Sequence, residues 1–277
     1  MISTYVMKKD ITLLNFFKEH YLSSNYYNKL VSENAVTNEQ GYLKLNDIIK
    51  KGESIYINYS LIEENIYQLY DYKITIIYED SEIIAVEKPQ GILIHSDGNT
   101  YDTLLNAVCF YLEKRGDDSL IRCLHRIDVD TTGIVLFSKN ILSYSYINKQ
   151  IEEKRVYKEY MALVEGVINA PGVIDAPIGR NRHDSKKQIV SSTGKSAHTE
   201  YSVLKTYKDA SLLKVVITTG RTHQIRVHLA YINHPIIGDK LYGKRLNKEL
   251  KLHFKKIGFD YFGRKLYITS NINLSYK

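Results

Sequence analysis

Apolar positions recur with period two along much of this chain and with helical spacing in shorter stretches, and the switching between these periods predicts its elements. Leu13, Leu14, Phe16 and Phe17 sit at helical spacing, whereas KGESIYINY alternates as a strand does. Ile11 to about Tyr59 is therefore predicted to run short helix, turn, short helix, strand, a compact unit of about fifty residues. SLIEENIYQLYDY lacks a turn cluster and marks a boundary near residues 60–72, giving an N-terminal unit over 1–65 and a larger domain over 72–277. In the larger part, ITIIYEDSEIIAVEKPQGILIHS reads as three strands joined by two turns, and NTYDTLLNAVCFYLEKRG as a helix ending at Gly116. GIVLFSKN is a strand and NILSYSYINKQIEEK a helix. VYKEYMALVEG and SAHTEYSVLKTYKDASLLKVVITTG supply further strands, and GRTHQIRVHLAYIN reads as a helix launched from a glycine. This order mixes hairpins with helical insertions and lacks the regular alternation of a doubly wound parallel sheet, so an α+β arrangement is expected.

Composition narrows the class. At 277 residues, 44% hydrophobic and 25% charged, the chain is long enough for one large core with a small appended unit. Fifteen glycines against four prolines argue against linker-rich architecture. No apolar run is long enough to span a bilayer, and the chain opens on polar, charged sequence, so a cytoplasmic protein is expected. Cys109 and Cys123 lack metal-ligand spacing and sit among apolar neighbours, which predicts buried free thiols.

The net charge of +7 is unevenly spread. Residues 1–70 hold 7 Lys and 8 acids, a net of −1, which leaves +8 on the remainder. Together with 24 tyrosines, that balance suits a partner whose phosphates need neutralising and whose bases can stack, although solvated surface lysines would give the same total.

Three places hold candidate chemistry. RCLHRIDVDTTGIVLFSKN sets a basic pair and two acids before a Thr-Thr-Gly turn and an apolar strand. Asp128 there is either a turn residue or a carboxylate at the edge of the core; in the second case it needs a cationic partner, since an unpaired buried ion costs several kcal/mol. In TTGRTHQIRVHLAYIN, Arg221 at a helix start would aim a guanidinium and free backbone N–H groups at one point, which suits an anion. His223 and His228 are five apart and do not share a helical face, so hydrogen-bonded packing is the simplest reading of both. Tyr160, in KEYMALVEG, reads as a sheet or core tyrosine, or as a ring for a flat substrate.

Taken in order, KPQGILIH, LHRIDVDTTGIVLFSKN, YMALVEG, GRTHQIRVHL and HPIIGDKLYG resemble the motifs of the RluA-type pseudouridine synthases over about residues 74–254. The resemblance implies an α+β fold with a mixed, largely antiparallel central sheet, flanking helices and an active-site cleft. It also implies a cofactor-free isomerase that detaches uracil from ribose in RNA (rRNA or tRNA), turns it and rejoins it through carbon. Asp128 matches the catalytic acid, Arg126 the residue entering the RNA stack, Tyr160 the ring against the target base, and Arg221 the arginine paired with the acid. His125, Thr131, His223 and Arg226 lie in the same motifs and are assigned to substrate contact. Three positions depart from the family pattern: Glu87 stands where Asn is more common, Ser96 where Pro is, and Thr132 where Ser is.

The N-terminal unit resembles a degenerate αL-type RNA-binding module, with its net charge of −1 departing from a basic surface. Arg245 to Lys265 gathers Lys and Arg among aromatics, as part of an RNA footprint or as a solvated helix face. A monomer without metal is expected. The rival reading is a non-catalytic RNA-binding or assembly factor on the same fold. A hydrolytic glycosidase fits poorly, because Asp130 is the sole nearby second carboxylate.

Overall fold

The computed structural model describes residues 2–63, 67–244 and 249–276. Its elements are, in order, β1 (Ile2–Val6), β2 (Ile11–Thr12), α1 (Leu13–Glu19), α2 (Ser24–Ser32), β3 (Val36–Asn38), β4 (Gly41–Tyr42), β5 (Ile48–Ile49), β6 (Ser54–Asn58), β7 (Thr75–Glu79), β8 (Ile83–Lys88), α3 (Leu104–Glu113), β9 (Arg122–Cys123) and β10 (Thr132–Ser138). There follow α4 (Ile141–Glu152), β11 (Tyr157–Glu165), β12 (Gly172–Asp175), β13 (Ile178–Arg180), β14 (Gln188–Val190), β15 (His198–Thr206), β16 (Ala210–Ile217), α5 (Gln224–Tyr231), β17 (Leu252–Tyr261) and β18 (Arg264–Thr269). The central sheet is mixed and largely antiparallel, as the pattern of hairpins implied. The chain forms two compact units and crosses between them five times, two of the crossings falling within β8 and β10.

The first unit comprises residues 1–85, 94–126 and 135–152. Its N-terminal part holds a four-stranded sheet in the order β1-β6-β3-β4 beside α1 and α2. Thr12 starts α1 by accepting from the Asn15 N–H, the usual capping arrangement. Leu13, Phe17, Leu30, Ile49, Ile55 and Ile57 are fully buried there, and the same cluster continues into Ile141 and Leu142 of α4. A polar knot lies beside it. Tyr5 donates to Glu82 at 2.9 Å and its hydroxyl meets that of Tyr59 at 3.1 Å, while the Asn140 amide donates to the same Glu82 oxygen at 2.9 Å. Burial pushes the Glu82 carboxyl above its usual range, against the pull of those two donors. α3 begins at Thr103, which caps it, and ends near Gly116, whose φ of +68° the sequence had supplied with a residue lacking Cβ.

The second unit comprises residues 86–93, 127–134 and 153–277. Its strands run in the order β12-β15-β16-β11-β17-β10, with β18 outside β17. All the registered pairs are antiparallel except β10 on β17. α5 lies against β15: His228 is buried between the Thr199 hydroxyl and the Ala176 carbonyl, each 2.9 Å away, which is the packing role its spacing suggested. The helix starts later than the glycine-launched reading implied, because His223 takes a left-handed φ of +55° just before Gln224. The Gln224 side chain then turns back to accept from the Arg221 N–H at 3.0 Å and the Thr219 hydroxyl at 2.8 Å. The N–H expected to bind an anion is thereby already occupied. Of the basic segment after Lys244, Arg245 to Lys248 lie outside the described residues; the rest is the β17–β18 hairpin, not a helix face.

The parallel contact of β10 on β17 depends on Gly133. Its φ is +118°, and a Cβ there would lie 2.4 Å from the Phe254 carbonyl oxygen and 2.5 Å from its nitrogen. Gly133→Ala is expected to lower unfolding free energy by about 3 kcal/mol, read from the denaturant midpoint. A second test uses Glu82. Its folded-state pKa is raised, so its contribution is complete below the unfolded value and is lost as pH rises through the folded one. Glu82→Gln should therefore gain thermal stability relative to the native chain as pH is raised from 4.5 to 7, measured by differential scanning.

Candidate active site

The acid turn is a short hydrogen-bonded structure. The Thr131 N–H donates to the Asp128 carbonyl at 3.0 Å, and the Val129 carbonyl accepts from the Gly91 N–H at 2.9 Å. Lys88, fully buried at the end of β8, spends its ammonium on three carbonyls: Pro89 at 2.9 Å, Val129 at 2.7 Å and Thr131 at 3.1 Å. Burial pushes this lysine down to about 8, while the charges of Asp130 and Asp128 act in the opposite direction. The loop is thus pinned from beneath through backbone oxygens.

A second wire of hydrogen bonds anchors the next residue. Ser270 donates to Glu87 at 2.7 Å, so the Ser270 oxygen accepts from Nε2–H of His253 at 2.9 Å, and Nδ1 of His253 accepts from the Thr132 hydroxyl at 2.9 Å. Burial holds that imidazole neutral, pushing its pKa down to about 4. Two of the positions that depart from the family pattern, Glu87 and Thr132, are the two ends of this one wire.

Asp128 is 28% exposed, and its Oδ2 accepts from Nη1 of Arg226 at 3.3 Å. Arg226, on the first turn of α5, is 5% exposed and is held by the fully buried Asp239 in a two-pronged pair, Nε to Oδ2 at 2.8 Å and Nη2 to Oδ1 at 2.9 Å. Asp239 also accepts from the N–H groups of Leu241 and Tyr242. Burial opposes charge on both partners, yet their mutual bonds outweigh it, holding Asp239 below the usual carboxylate range and Arg226 above its own. Breaking such a pair would leave an uncompensated buried ion, a loss of about 3–5 kcal/mol.

Tyr160 lies on β11 where the register with β17 shifts between Glu159 and Tyr160. It is 7% exposed and stacked on Phe254 with ring centroids 4.4 Å apart and planes within 10°. Burial, with the nearby Asp128 charge, raises its phenol well above the ordinary value. Proton exchange by this phenol near neutral pH is therefore disfavoured, and a packing role is favoured.

One pairing taken from the resemblance needs correction. Arg221 is not the partner of Asp128: its Nε donates to the Ser196 carbonyl at 2.9 Å, and Arg226 occupies the position beside the acid. The physical reason is the left-handed turn at His223, which leaves Arg221 outside α5 while Arg226 projects from the helix toward Asp128 and Asp239. Thr131 is buried, so its side chain is not presented to a ligand. His125 is half-buried and its Nε2 accepts from the Leu136 N–H at 3.2 Å. Arg126 is exposed in the extended segment just before the acid turn. His223 sits with Nε2 3.9 Å from Asp128 Oδ2.

Lys88, Asp239 and Tyr242 were given no role by sequence reasoning, although KPQG and HPIIGDKLYG contain them. The available signal was an acid directly after a glycine in an otherwise apolar stretch, a residue type that is rarely buried without a cation. Among the described residues, no group of three or more His, Cys, Asp or Glu side chains is arranged to hold a metal. Both cysteines are free thiols, Cys109 buried and Cys123 half-buried; burial pushes the Cys123 thiol up to about 12.

Comparison with known proteins places the whole chain. Residues 82–231 match the RNA pseudouridylate synthase family. An uncharacterised RNA pseudouridine synthase of Aquifex aeolicus is 38% identical over 229 residues, covering 80% of this chain and 72% of that protein. The ribosomal large subunit pseudouridine synthase D of Vibrio cholerae is 37% identical over 197 residues, covering 70% of this chain and 60% of that protein. The solved structure of human RNA pseudouridylate synthase domain containing 1 shares the fold with a TM-score of 0.64 at 23% identity, over 73% of this chain and 85% of that one. By this sequence match the chain belongs to the RNA pseudouridylate synthase family, as an RNA pseudouridine synthase of the RluA type.

Proposed function

We propose that this chain isomerises uridine in structured ribosomal RNA with Asp128 as its reacting carboxylate and Arg226 as the counter-ion. The names of the curated relatives support ribosomal RNA, and the +8 excess outside residues 1–70 suits such a polyanion. The observation that carries the residue assignment is the Asp239–Arg226–Asp128 arrangement, in which one guanidinium is locked on its buried side and offers Nη1 to Oδ2 of the acid.

The reaction breaks the C1′–N1 bond of uridine and forms a C1′–C5 bond; C5 loses a proton and N1 gains one. Extracting the uridine from its stack costs a few kcal/mol, and stacking on an aromatic side chain returns about 1–3 kcal/mol. In this reading Tyr160, backed by Phe254, packs against the base, and the exposed Arg126 fills the space the nucleotide leaves. With Oδ2 engaged by Arg226, Oδ1 is the oxygen directed to the reacting nucleotide, whether at the ribose or at the base. His223 borders the same oxygen as Arg226. Arg221, His125 and Thr131 act at most in RNA contact or loop shape. The N-terminal residues 1–65 serve as a degenerate αL-like module docked for structure more than for RNA contact, in keeping with their acidic balance. The protein works in the cytoplasm as a monomer.

The non-catalytic alternative, an assembly factor on the same fold, is separated by chemistry at position 128. With RNA tritiated at uracil C5, Asp128→Asn should reduce tritium release about 10³-fold or more. Arg226→Gln should reduce it about 100-fold, and Arg221→Gln should leave kcat within about twofold. Undiminished release by Asp128→Asn would refute the assignment.

A further inference from the structure

His223 raises a question of tautomer. A neutral imidazole carries a hydrogen on one nitrogen and a lone pair on the other, and the choice is set by what the far nitrogen meets. Here Nε2 faces Oδ2 of Asp128 at 3.9 Å, so the choice decides whether the carboxylate sees a donor or a second lone pair.

Tyr242 makes that choice. Its hydroxyl lies 2.9 Å from Nδ1 of His223 and accepts from the backbone N–H of Gln188 at 2.7 Å. The phenolic hydrogen remains to be placed, and among the described residues Nδ1 is the acceptor within hydrogen-bond distance. Were the imidazole hydrogen on Nδ1 instead, the phenolic hydrogen would have no protein acceptor among the described residues and the Nε2 lone pair would oppose the carboxylate. The two penalties act in the same direction.

We propose that Tyr242 is a positioning residue for Asp128: by donating to Nδ1 it holds His223 as the Nε2–H tautomer, so that a donor borders Oδ2 and Oδ1 is left to the substrate. This rests on Asp128 being the reacting acid. The Tyr242 ring also meets the other group on Oδ2, with the Arg226 guanidinium 5.4 Å from its centroid, and it stands edge-on to the His223 ring at 5.7 Å. One aromatic side chain therefore backs both neighbours of that oxygen. Charging His223 would require Nδ1–H to point at a hydroxyl whose own hydrogen then lacks a protein partner among the described residues. Burial lowers the pKa of this histidine further; of the charged groups around it, Asp128, Asp130 and Asp239 favour protonation and Arg226 disfavours it.

The test separates the tautomer from the chemistry. In the full-length protein labelled with ¹⁵N-histidine, long-range ¹H–¹⁵N correlation, assigned by loss of one signal in His223→Gln, should show an unprotonated Nδ1 and a protonated Nε2. Tyr242→Phe keeps the ring on Arg226 and removes the hydroxyl. It should convert that signal to a tautomer mixture, raise by about one unit the pH at which both ring nitrogens become protonated in the same spectra, and lower kcat about tenfold with KM for RNA within about twofold. A hydrogen on Nδ1 in the native protein, or a Tyr242→Phe enzyme with unchanged tautomer and ring titration, overturns the proposal. The native measurement needs no variant and decides the matter even if Tyr242→Phe fails to fold. An Asp128→Asn enzyme of full activity would overturn the underlying assignment instead, and it is told apart because the tautomer is read without substrate.

Discussion

The guanidinium of Arg226 has two acids to serve and one side on which it cannot move. Asp239 takes Nε and Nη2 in a buried two-pronged pair, and Nη1 is what remains for Asp128. A charge in this position must be paired, because leaving either buried member alone is far more expensive than the pair itself. The same requirement fixes direction: a fork locked on one carboxylate presents its remaining N–H groups along a fixed line. Orientation of the acid thus derives from an ion pair that need not touch substrate, and the rest of the unit holds the two ends of that pair in register.

Two further devices fix the loop that carries the acid. Lys88 gathers three backbone carbonyls under it, and Gly133 lets β10 approach β17 more closely than any side chain would permit. Both act on backbone, so the turn is set independently of the identity of Val129 or Asp130. The wire from Thr132 through His253 and Ser270 to Glu87 continues this support behind the loop, with each hydrogen assigned by its neighbour.

Local pattern made the hairpins, the α3 and α4 segments and the acid turn legible, because each is written in consecutive residues: alternation in VYKEYMALVEG, a threonine cap before LLNAVCFYLE, Thr-Thr-Gly before IVLF. The choice between Arg221 and Arg226 was not legible. It depends on a left-handed residue at His223, which Gln224 stabilises by folding back on Arg221 and Thr219, and no spacing rule anticipates a non-glycine residue there. Asp239 and Lys88 were hidden for another reason. Asp239 lies 13 positions from Arg226, which itself reaches Asp128 98 positions away, and Lys88 lies 41 and 43 positions from two of the three carbonyls it holds, so these partnerships exist only in the folded chain. The basic segment ending at Lys265 read as a helix face because its charges are dense, whereas pairing with β11 and β18 makes most of it strand.

The burial of Ile141 and Leu142 among side chains from residues 7–62 means that α4 has no finished inner surface of its own. The amino-terminal sheet supplies that surface, so this end of the chain is not a detachable cargo that a descendant gene might trade for another module. Exchange would expose two aliphatic side chains and strand the Glu82 carboxyl without Tyr5. Change in the first sixty residues is thereby tethered to change in α4 through the apolar side chains the two share.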